Sequence, residues 1–523
     1  MIRDLLTSLP LARATWVLMR EGVLTALPSE GAPAGMRMLV AVAGWVQRPE
    51  SRNASRAKRL TRALERLGPS WVKLGQFLAT RPDIIGKDVA LDLEGLQDRM
   101  DPFPLEEAKR RIEATLFMPA EEMFTEIGPP VAAASVAQVH KARTVDGRDV
   151  AVKVVRPGVR RRFAKDIRTF YAGARILNDN IPFIRRLRPL DVVRVLDESH
   201  RVEMDLRLEA AALSELAENA AEDEGFRVPR VDWDRSGRDA LTMEWVDGIK
   251  MTDMAAIRAA GHDMGRLAYN LNQNFLRHAM RDGFFHADMH PGNLFVNDEG
   301  DIVAVDLGIA GRIGRKERRF LAEILFGFIR RDYRRVAEVH FEAGYVPANQ
   351  DVEAFAQAIR AVGEPIHGQT ADEVSMARVL TLLFEITDLF QMQTQPQLIL
   401  LQKTMVVVEG VCRKLDPHFD MWSSAEPVVR AWVIRNLGPA GTAKDLRDGL
   451  VAARGLIREA PEYLARAERV AAEVDRITAH GLRLDPQTVE RIGEATARKA
   501  SKGQMVLLAV VFGTLGILLG QAW

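Results

Sequence analysis

The sequence predicts a two-lobed α/β (α+β) fold: a mixed, strand-bearing lobe, then a helical lobe, with a helical extension ahead of both and an apolar helix at the end. Three observations carry this reading. Two β-rich runs, SVAQVHKA and RDVAVKVV, flank the Asp146-Gly147 turn and read as a hairpin. Helical periodicity dominates after about residue 250. From Met505 to Trp523 there is no charged residue. At roughly 150 residues per domain, a chain of 523 residues has room for about three domains or one large two-lobed body.

Composition narrows the function. Hydrophobic residues are 47% and charged residues 27%, as in ordinary globular proteins, which argues against a disordered or many-spanning chain. Lys plus Arg is 72 and Asp plus Glu is 71, so the net charge of +1 gives no electrostatic footprint for nucleic acid. The single cysteine, Cys412, excludes a disulfide framework, a Cys-based zinc site and a thiolate-held iron–sulfur cluster within one chain. Asp4, Pro10 and Arg13 interrupt any apolar run near the N-terminus, so no secretory signal is expected and the body belongs in the cytoplasm.

In chain order, residues 1–56 are an N-terminal helical segment. Residues 57–127 form a helical extension in which Leu60, Leu64 and Leu67 share one face before the Gly68-Pro69 break. In the next helix Trp71, Leu74 and Leu78 lie on one side, and Lys73 and Gln76, three apart, project from the other. Residues 128–250 are the strand-bearing lobe, interrupted by a long helical stretch that includes DESHRVEMDLRLEAAAL and closing with the expected strands FRVPRVDW and ALTMEWV. Residues 251–440 are the helical lobe, broken by the short β element DIVAVDLG. Residues 441–504 carry an amphipathic stripe from Leu464 to Ile477. Residues 505–523 would span about 28 Å as a helix, enough to cross a bilayer core. Arg498, Lys499 and Lys502 precede this run and would hold that flank on the cytoplasmic side. The expectation is a single C-terminal transmembrane anchor. Gly516 and Gly520 leave a homodimer open.

The densest chemistry is FFHADMHPGNLFVNDEGDIVAVDLG, which gathers His286, Asp288, His290, Asn293 and Asp306. Phosphoryl transfer from a nucleotide needs a carboxylate near the attacking hydroxyl, an amide and a second carboxylate on Mg²⁺, and a lysine on the phosphates. All four types occur in order. Lys153 stands in the strand VAVKV; Asp288 and Asn293 are five apart, as in a kinase catalytic loop; Asp306 opens D-L-G after a strand. The expected fold is therefore protein-kinase-like and the expected cofactors are ATP and Mg²⁺. A kinase lysine also needs a helical acid, and Glu203, Asp205 and Glu209 are available, Glu203 being the first choice. Glu244 to Val246 would form the hinge that meets adenine through backbone groups.

With these motifs the chain resembles the UbiB-type atypical kinase-like family, associated with ubiquinone (coenzyme Q) biosynthesis in bacteria and with mitochondrial relatives. The family's K-x-G-Q stands as Lys73-Leu74-Gly75-Gln76, its alanine-rich replacement for the glycine loop as Ala132-Ala133-Ala134-Ser135, and its E-x-D as Glu203-Met204-Asp205. The resemblance implies that nucleotide lies between two lobes and that the K-x-G-Q helices fold over it as a regulatory lid, with Lys73 and Gln76 engaging acids such as Glu203, Asp205 or Glu209. It implies an ATP-hydrolysing or small-molecule-directed activity at the cell inner membrane. Membrane lipid, quinone precursors and other quinone-pathway enzymes are the expected partners. The physical reading of the alanine loop stands beside this: three Cβ atoms restrict the close, positive-φ approach that a glycine loop allows, so nucleotide geometry or preference should be altered. Two departures are Met289, where a proline usually follows the catalytic aspartate, and Leu307, where D-F-G has phenylalanine.

Other classes fit less well. His286, Asp288 and His290 form H-x-D-x-H, but a hydrolase metal draws further ligands from elsewhere. The only Glu-x-x-His spacing, Glu364 to His367, contains Pro365, so a di-iron hydroxylase lacks its ligand pairs, and no flavin fingerprint is present. The alternative reading is a catalytically weak nucleotide-binding scaffold or lipid-handling protein that organises quinone-pathway enzymes.

Overall fold

The computed structural model describes residues 2–23, 25, 44–79, 89, 92–93, 100–180, 189–364, 386, 389–392 and 396–437. The chain divides into two compact units. Of the described residues, the first takes those up to Ala210 and Val231–Trp245; the second takes Ala211–Arg230 and those from Val246 onward.

The first unit begins with helices α1 (Ile2–Arg20), α2 (Arg56–Leu67) and α3 (Pro69–Ala79). Ser55 caps α2 by accepting the Lys58 N–H, Gly68 ends it at φ 107°, and Pro69 starts α3 where a missing N–H is harmless. Their apolar stripes share one core. Leu18, Leu60, Leu64, Trp71 and Leu74 meet Ile167 and Phe170 of α5 (Val159–Asn180) and Leu196 of α6 (Pro189–Glu203). Trp71 stands edge-on to Phe170, with ring centroids 4.8 Å apart.

Between α3 and α5 lie α4 (Leu105–Leu116) and the strands β1 (Phe124–Ala133), β2 (Ala137–Thr144) and β3 (Asp149–Val155). The helix α7 (Leu206–Asn219) follows α6, and β4 (Ala240–Glu244) completes an antiparallel sheet in the order β1-β2-β3-β4. The predicted hairpin forms around Gly147, which is left-handed at φ 84°. β1 starts earlier than the sequence indicates, because its Gly128-Pro129-Pro130 stretch hides a strand. It survives as an edge strand with register shifts, the position where prolines are tolerated. Along β3 the period of two puts Val150, Val152 and Val154 against Ala108 and Ile112 of α4 and leaves Lys153 on the opposite face.

The second unit is mostly helical. Its small strands are β5 (Phe284–His286), β6 (Leu294–Val296), β7 (Ile302–Ala304) and β8 (Ala310–Arg312). β5 pairs with β8, and β6 with β7, so the 287–293 and 305–309 segments each run from one sheet to the other. FRVPRVDW contributes only the two-residue strand Phe226–Arg227, parallel to β7, because Pro229 cuts the run short. Helix α8 (Met264–Arg277) leads through a π-helical turn, His278–Asp282, into β5. Buried Asp223 accepts from Arg281 at 2.7 Å and faces His278 Nε2 at 3.1 Å, fixing this turn to the second unit. The helical end comprises α9 (Arg315–Arg330), α10 (Tyr333–Glu342), α11 (Val352–Gly363), α12 (Pro396–Leu415) and α13 (Met421–Leu437). Cys412 is buried in α12 and its Sγ faces the Ala268 carbonyl at 3.3 Å; burial pushes its thiol pKa up, in keeping with a core filler.

The fold class needs one correction. Among the described residues no helix is long and apolar enough to cross a membrane. The 22-residue α5 has the length but carries Arg160, Arg161, Arg162, Lys165 and Asp166. The span expected from Met505 to Trp523, and the amphipathic 441–504 segment before it, lie outside the described residues. Among the described residues the architecture is a kinase-like body with a helical extension, and the C-terminal transmembrane helix of the expected fold class is not found there.

Gly283 ends the π turn at φ 72°, and a Cβ there would meet the Ile313 carbonyl oxygen at 2.6 Å. Gly283→Ala should lower stability by about 1–3 kcal/mol, read as an earlier midpoint in urea unfolding, with α-helix content retained.

Candidate functional site

The first unit places Lys153 at the middle of β3, opposite Val139 on one side and Leu241 on the other. Its Nζ lies 2.7 and 2.9 Å from the two carboxylate oxygens of Glu209, and both side chains are largely buried. The expected pair with Glu203 does not form. α6 ends at Glu203, the chain breaks at Met204-Asp205, and α7 restarts at Leu206, whose N–H is held by the Arg238 carbonyl at 3.1 Å. That restart puts Glu209 in the first turn of α7, where the helix dipole favours a carboxylate.

Glu203 instead holds Lys73 of α3. Burial would raise the Glu203 pKa, but the Lys73 ammonium and the neighbouring His200 ring more than offset it and bring it down to about 2. His200 Nδ1 stands 3.4 Å from the second Glu203 oxygen, a neighbour with no signature in the sequence. Asp205, expected near Lys73, turns to Arg207 at 2.7 Å because it sits in the break between the helices. Gln76 lies three residues beyond Lys73 on α3.

Of the alanine loop, Ala132 and Ala133 close β1, and Ala134 and Ser135 form the turn to β2. The Ala134 N–H reaches the Ala137 carbonyl at 2.8 Å, so the turn closes on itself. Arg156, which sequence reading passed over, donates from Nε to the Ala134 carbonyl at 2.7 Å. Glu244 ends β4, the Trp245 N–H bonds to the Asp149 carbonyl at 3.2 Å, and Val246 opens the second unit's segment.

The second unit brings Asp288, Asn293 and the approach to Asp306 together through backbone bonds. Asn293 Nδ2 donates to the Asp288 carbonyl at 3.1 Å, which commits Oδ1 to the acceptor role. The Val305 N–H donates to the Asn293 carbonyl at 2.9 Å. Buried His286 joins the same segments. Its Nδ1 accepts the Asp288 N–H at 3.1 Å and its Nε2 faces the Val305 carbonyl at 3.1 Å, so the neutral ring donates from Nε2. Burial lowers the His286 pKa and keeps it in that form. Asp306 itself is exposed and left-handed, at φ 61°. Aspartate is one of the few non-glycine residues that enter this region at modest cost, and residues held there collect at functional sites. Met289 and Leu307 are both buried, so the two departures from the expected motif keep apolar packing beside the loop.

Asn293 and Asp306 carry oxygen donors of the type that a hard, hexacoordinate cation takes when it also binds phosphate. Among the described residues no group of three or more His, Cys, Asp or Glu is placed to hold a metal ion. His290, exposed, lies 3.7 Å from Asp288 and its Nδ1 accepts the Gly292 N–H at 3.0 Å, a loop-forming role.

A strand lysine gripped by a helical glutamate, and a loop ordering aspartate, asparagine and a second aspartate, are the parts of a kinase-like protein. Residues 95–340 match the ABC1 atypical kinase-like domain and residues 359–420 the UbiB helical domain. A protein of Marinobacter nauticus named as a probable protein kinase UbiB is 40% identical over 445 residues, covering 84% of this chain and 81% of its own. A protein of the same name from Cellvibrio japonicus is 39% identical over 449 residues, covering 85% and 78%. The complex of Rv3197 with erythromycin from Mycobacterium tuberculosis is a solved structure with 23% identity and a TM-score of 0.49, covering 71% of this chain and 95% of that one. The chain belongs to the UbiB family of atypical kinase-like proteins.

The Lys73 pair has a readable acid signature. Because the Glu203 pKa falls from 4.5 to about 2 on folding, the pair stabilises fully above pH 4.5 and is lost as pH drops toward 2. The shift corresponds to about 3 kcal/mol. Lys73→Met should be less stable at pH 7 and show a shallower loss between pH 4.5 and 2 than wild type, measured by denaturant unfolding across that range.

Proposed function

We propose that the chain binds Mg-ATP and acts as an atypical kinase or ATPase supporting ubiquinone biosynthesis, with quinone precursors as the small molecules it serves and other enzymes of that pathway as its partners. The observation that carries the reading is the Lys153–Glu209 pair, because a lysine held rigid by a carboxylate on a neighbouring helix is a device for phosphate oxygens. The family relationship supports the kinase-type assignment.

In this reading Lys153, oriented by Glu209, meets the α- and β-phosphates. Asn293 Oδ1 and the Asp306 carboxylate hold Mg²⁺, which when bound neutralises charge on the phosphate oxygens. Asp288 accepts the proton of the attacking hydroxyl, or orients a water where the outcome is hydrolysis. His286 contributes by keeping Asp288 and the Val305 end of the Asp306 segment in one register. Glu244 to Val246 offers backbone groups to the adenine. Lys73 and Glu203 act as the closed latch of a helical lid.

Asp306→Asn keeps a residue that tolerates the left-handed conformation and removes the charge. The variant should retain the wild-type unfolding midpoint and lose Mg²⁺-dependent ATP turnover by at least about 10²-fold, the scale of removing one strong electrostatic contact to a transition state. Turnover assayed with and without a phenolic quinone precursor decides this. A variant as active as wild type removes Asp306 from the metal site, and a wild type that binds Mg-ATP without turnover favours a nucleotide-binding scaffold.

A further inference from the structure

We propose that Thr404 is a positioning residue: from the helical end of the second unit it holds the peptide group ahead of Asp288 and through it aims the Asp288 carboxylate. The proposal deepens the nucleotide reading above and rests on it, since Asp288 is the group assigned there to the attacking hydroxyl or water. Thr404 lies in α12, 117 residues beyond Ala287, and is buried. Its hydroxyl donates toward two carbonyls, that of Ala287 at 3.1 Å and that of Leu400, one turn back in its own helix, at 2.8 Å. The single proton is shared between them, a three-centre arrangement that joins the helix backbone to the loop backbone at one atom.

The Ala287 carbonyl and the Asp288 N–H belong to the same planar peptide group. Thr404 grips the carbonyl end. At the other end the Asp288 N–H donates to His286 Nδ1 at 3.1 Å. A rigid plane held at both ends cannot rotate without breaking one of the two bonds. The neighbouring planes are held as well: the Ala287 N–H donates to the Ile309 carbonyl at 3.0 Å, and the Asp288 carbonyl accepts from Asn293 Nδ2 at 3.1 Å. Three consecutive peptide groups are therefore fixed around Asp288, and the direction of its carboxylate is left to the side-chain torsions alone.

The helix that supplies the hydroxyl has its own footing. Leu401, Val408, Val411 and Cys412 are buried along α12, and Cys412 Sγ faces the Ala268 carbonyl at 3.3 Å. Loss of the hydroxyl should therefore leave α12 in place and release the loop. Thr404 lies in the helical domain and Asp288 in the kinase-like one. The helical domain thus completes the backbone of the catalytic loop with a donor that the loop's own segment does not supply.

The test uses the full-length protein with Thr404→Val, which keeps the branched shape and removes the donor, and Thr404→Ser, which keeps the donor. Amide hydrogen exchange at residues 286–289 should speed up in Thr404→Val, return to the wild-type rate in Thr404→Ser, and stay unchanged in α8. The kcat for Mg-ATP turnover should fall about 10- to 100-fold in Thr404→Val, the scale of a small misplacement of a reacting group, with the Mg-ATP dissociation constant unchanged and most of the loss recovered in Thr404→Ser. In an Asp288→Asn background Thr404→Val should add no further loss, because the two changes act on one group. Should the valine variant not fold, Thr404→Ala takes its place in each comparison. Wild-type turnover without the hydroxyl, a serine variant no better than valine, losses that multiply in the double mutant, or unchanged exchange at 286–289 would each overturn the role of Thr404. A wild type that turns over no ATP overturns the enzymatic reading and with it the aiming of Asp288, while the exchange comparison still decides whether Thr404 holds the loop.

Discussion

The ion pair between Lys153 and Glu209 is the constraint around which the first unit is arranged. Two opposite charges that are largely buried must be matched closely, since the loss of either leaves the other desolvated at a penalty of several kcal/mol. The match requires β3 to keep its register with β2 and β4, so that Lys153 emerges on the face not covered by α4. It also requires the chain to stop at Glu203 and begin a new helix at Leu206, since one continuous helix would carry Glu209 elsewhere. The same break frees Glu203 for Lys73. Two lysine–glutamate pairs of similar chemistry are thus kept distinct by a two-residue interruption in a helix.

The second unit solves a related problem with neutral groups. Asp288 and Asp306 are separated by a hairpin, and their mutual position depends on bonds that avoid charge altogether: Asn293 to the Asp288 backbone, Val305 to the Asn293 backbone, and His286 to both segments. The bonds that hold these segments together run through main chain, an amide and a neutral ring, so the loop's shape does not depend on the charge of either carboxylate. Protonated His286 would forfeit the acceptor that orients Asp288, which explains why burial that keeps the ring neutral suits this position.

Much of this was legible in the sequence, for identifiable reasons. The β2–β3 hairpin announces itself through Asp146-Gly147 and strict alternation, and the α2–α3 corner through Gly68-Pro69. The five-residue spacing of Asp288 and Asn293 is local, so the side chain–backbone bond between them follows from one loop. What sequence could not resolve is long-range choice among like residues. Glu203, Asp205 and Glu209 are equivalent as text, and only the break at Met204-Asp205 and the dipole of α7 assign them to Lys73, Arg207 and Lys153. Arg156 was passed over for a similar reason. Its bonds go to main-chain carbonyls at residues 101 and 134, and main-chain acceptors leave no mark in side-chain pattern. β1 was only partly visible because Gly128, Pro129 and Pro130 carry loop-like propensities that an edge strand can accommodate.

The left-handed backbone of Asp306 separates two properties that are usually inherited together. Among the polar residues, aspartate and asparagine adopt that conformation with least strain, whereas glutamate keeps the charge and loses the short side chain that makes it comfortable. Lengthening the acid and neutralising it are therefore different perturbations, one of shape and one of electrostatics. On the proposed metal role of Asp306, a descendant that gave up that role but kept its scaffold would have a narrow exit at position 306: drift there should run first toward asparagine or glycine, and either residue would mark the change of role.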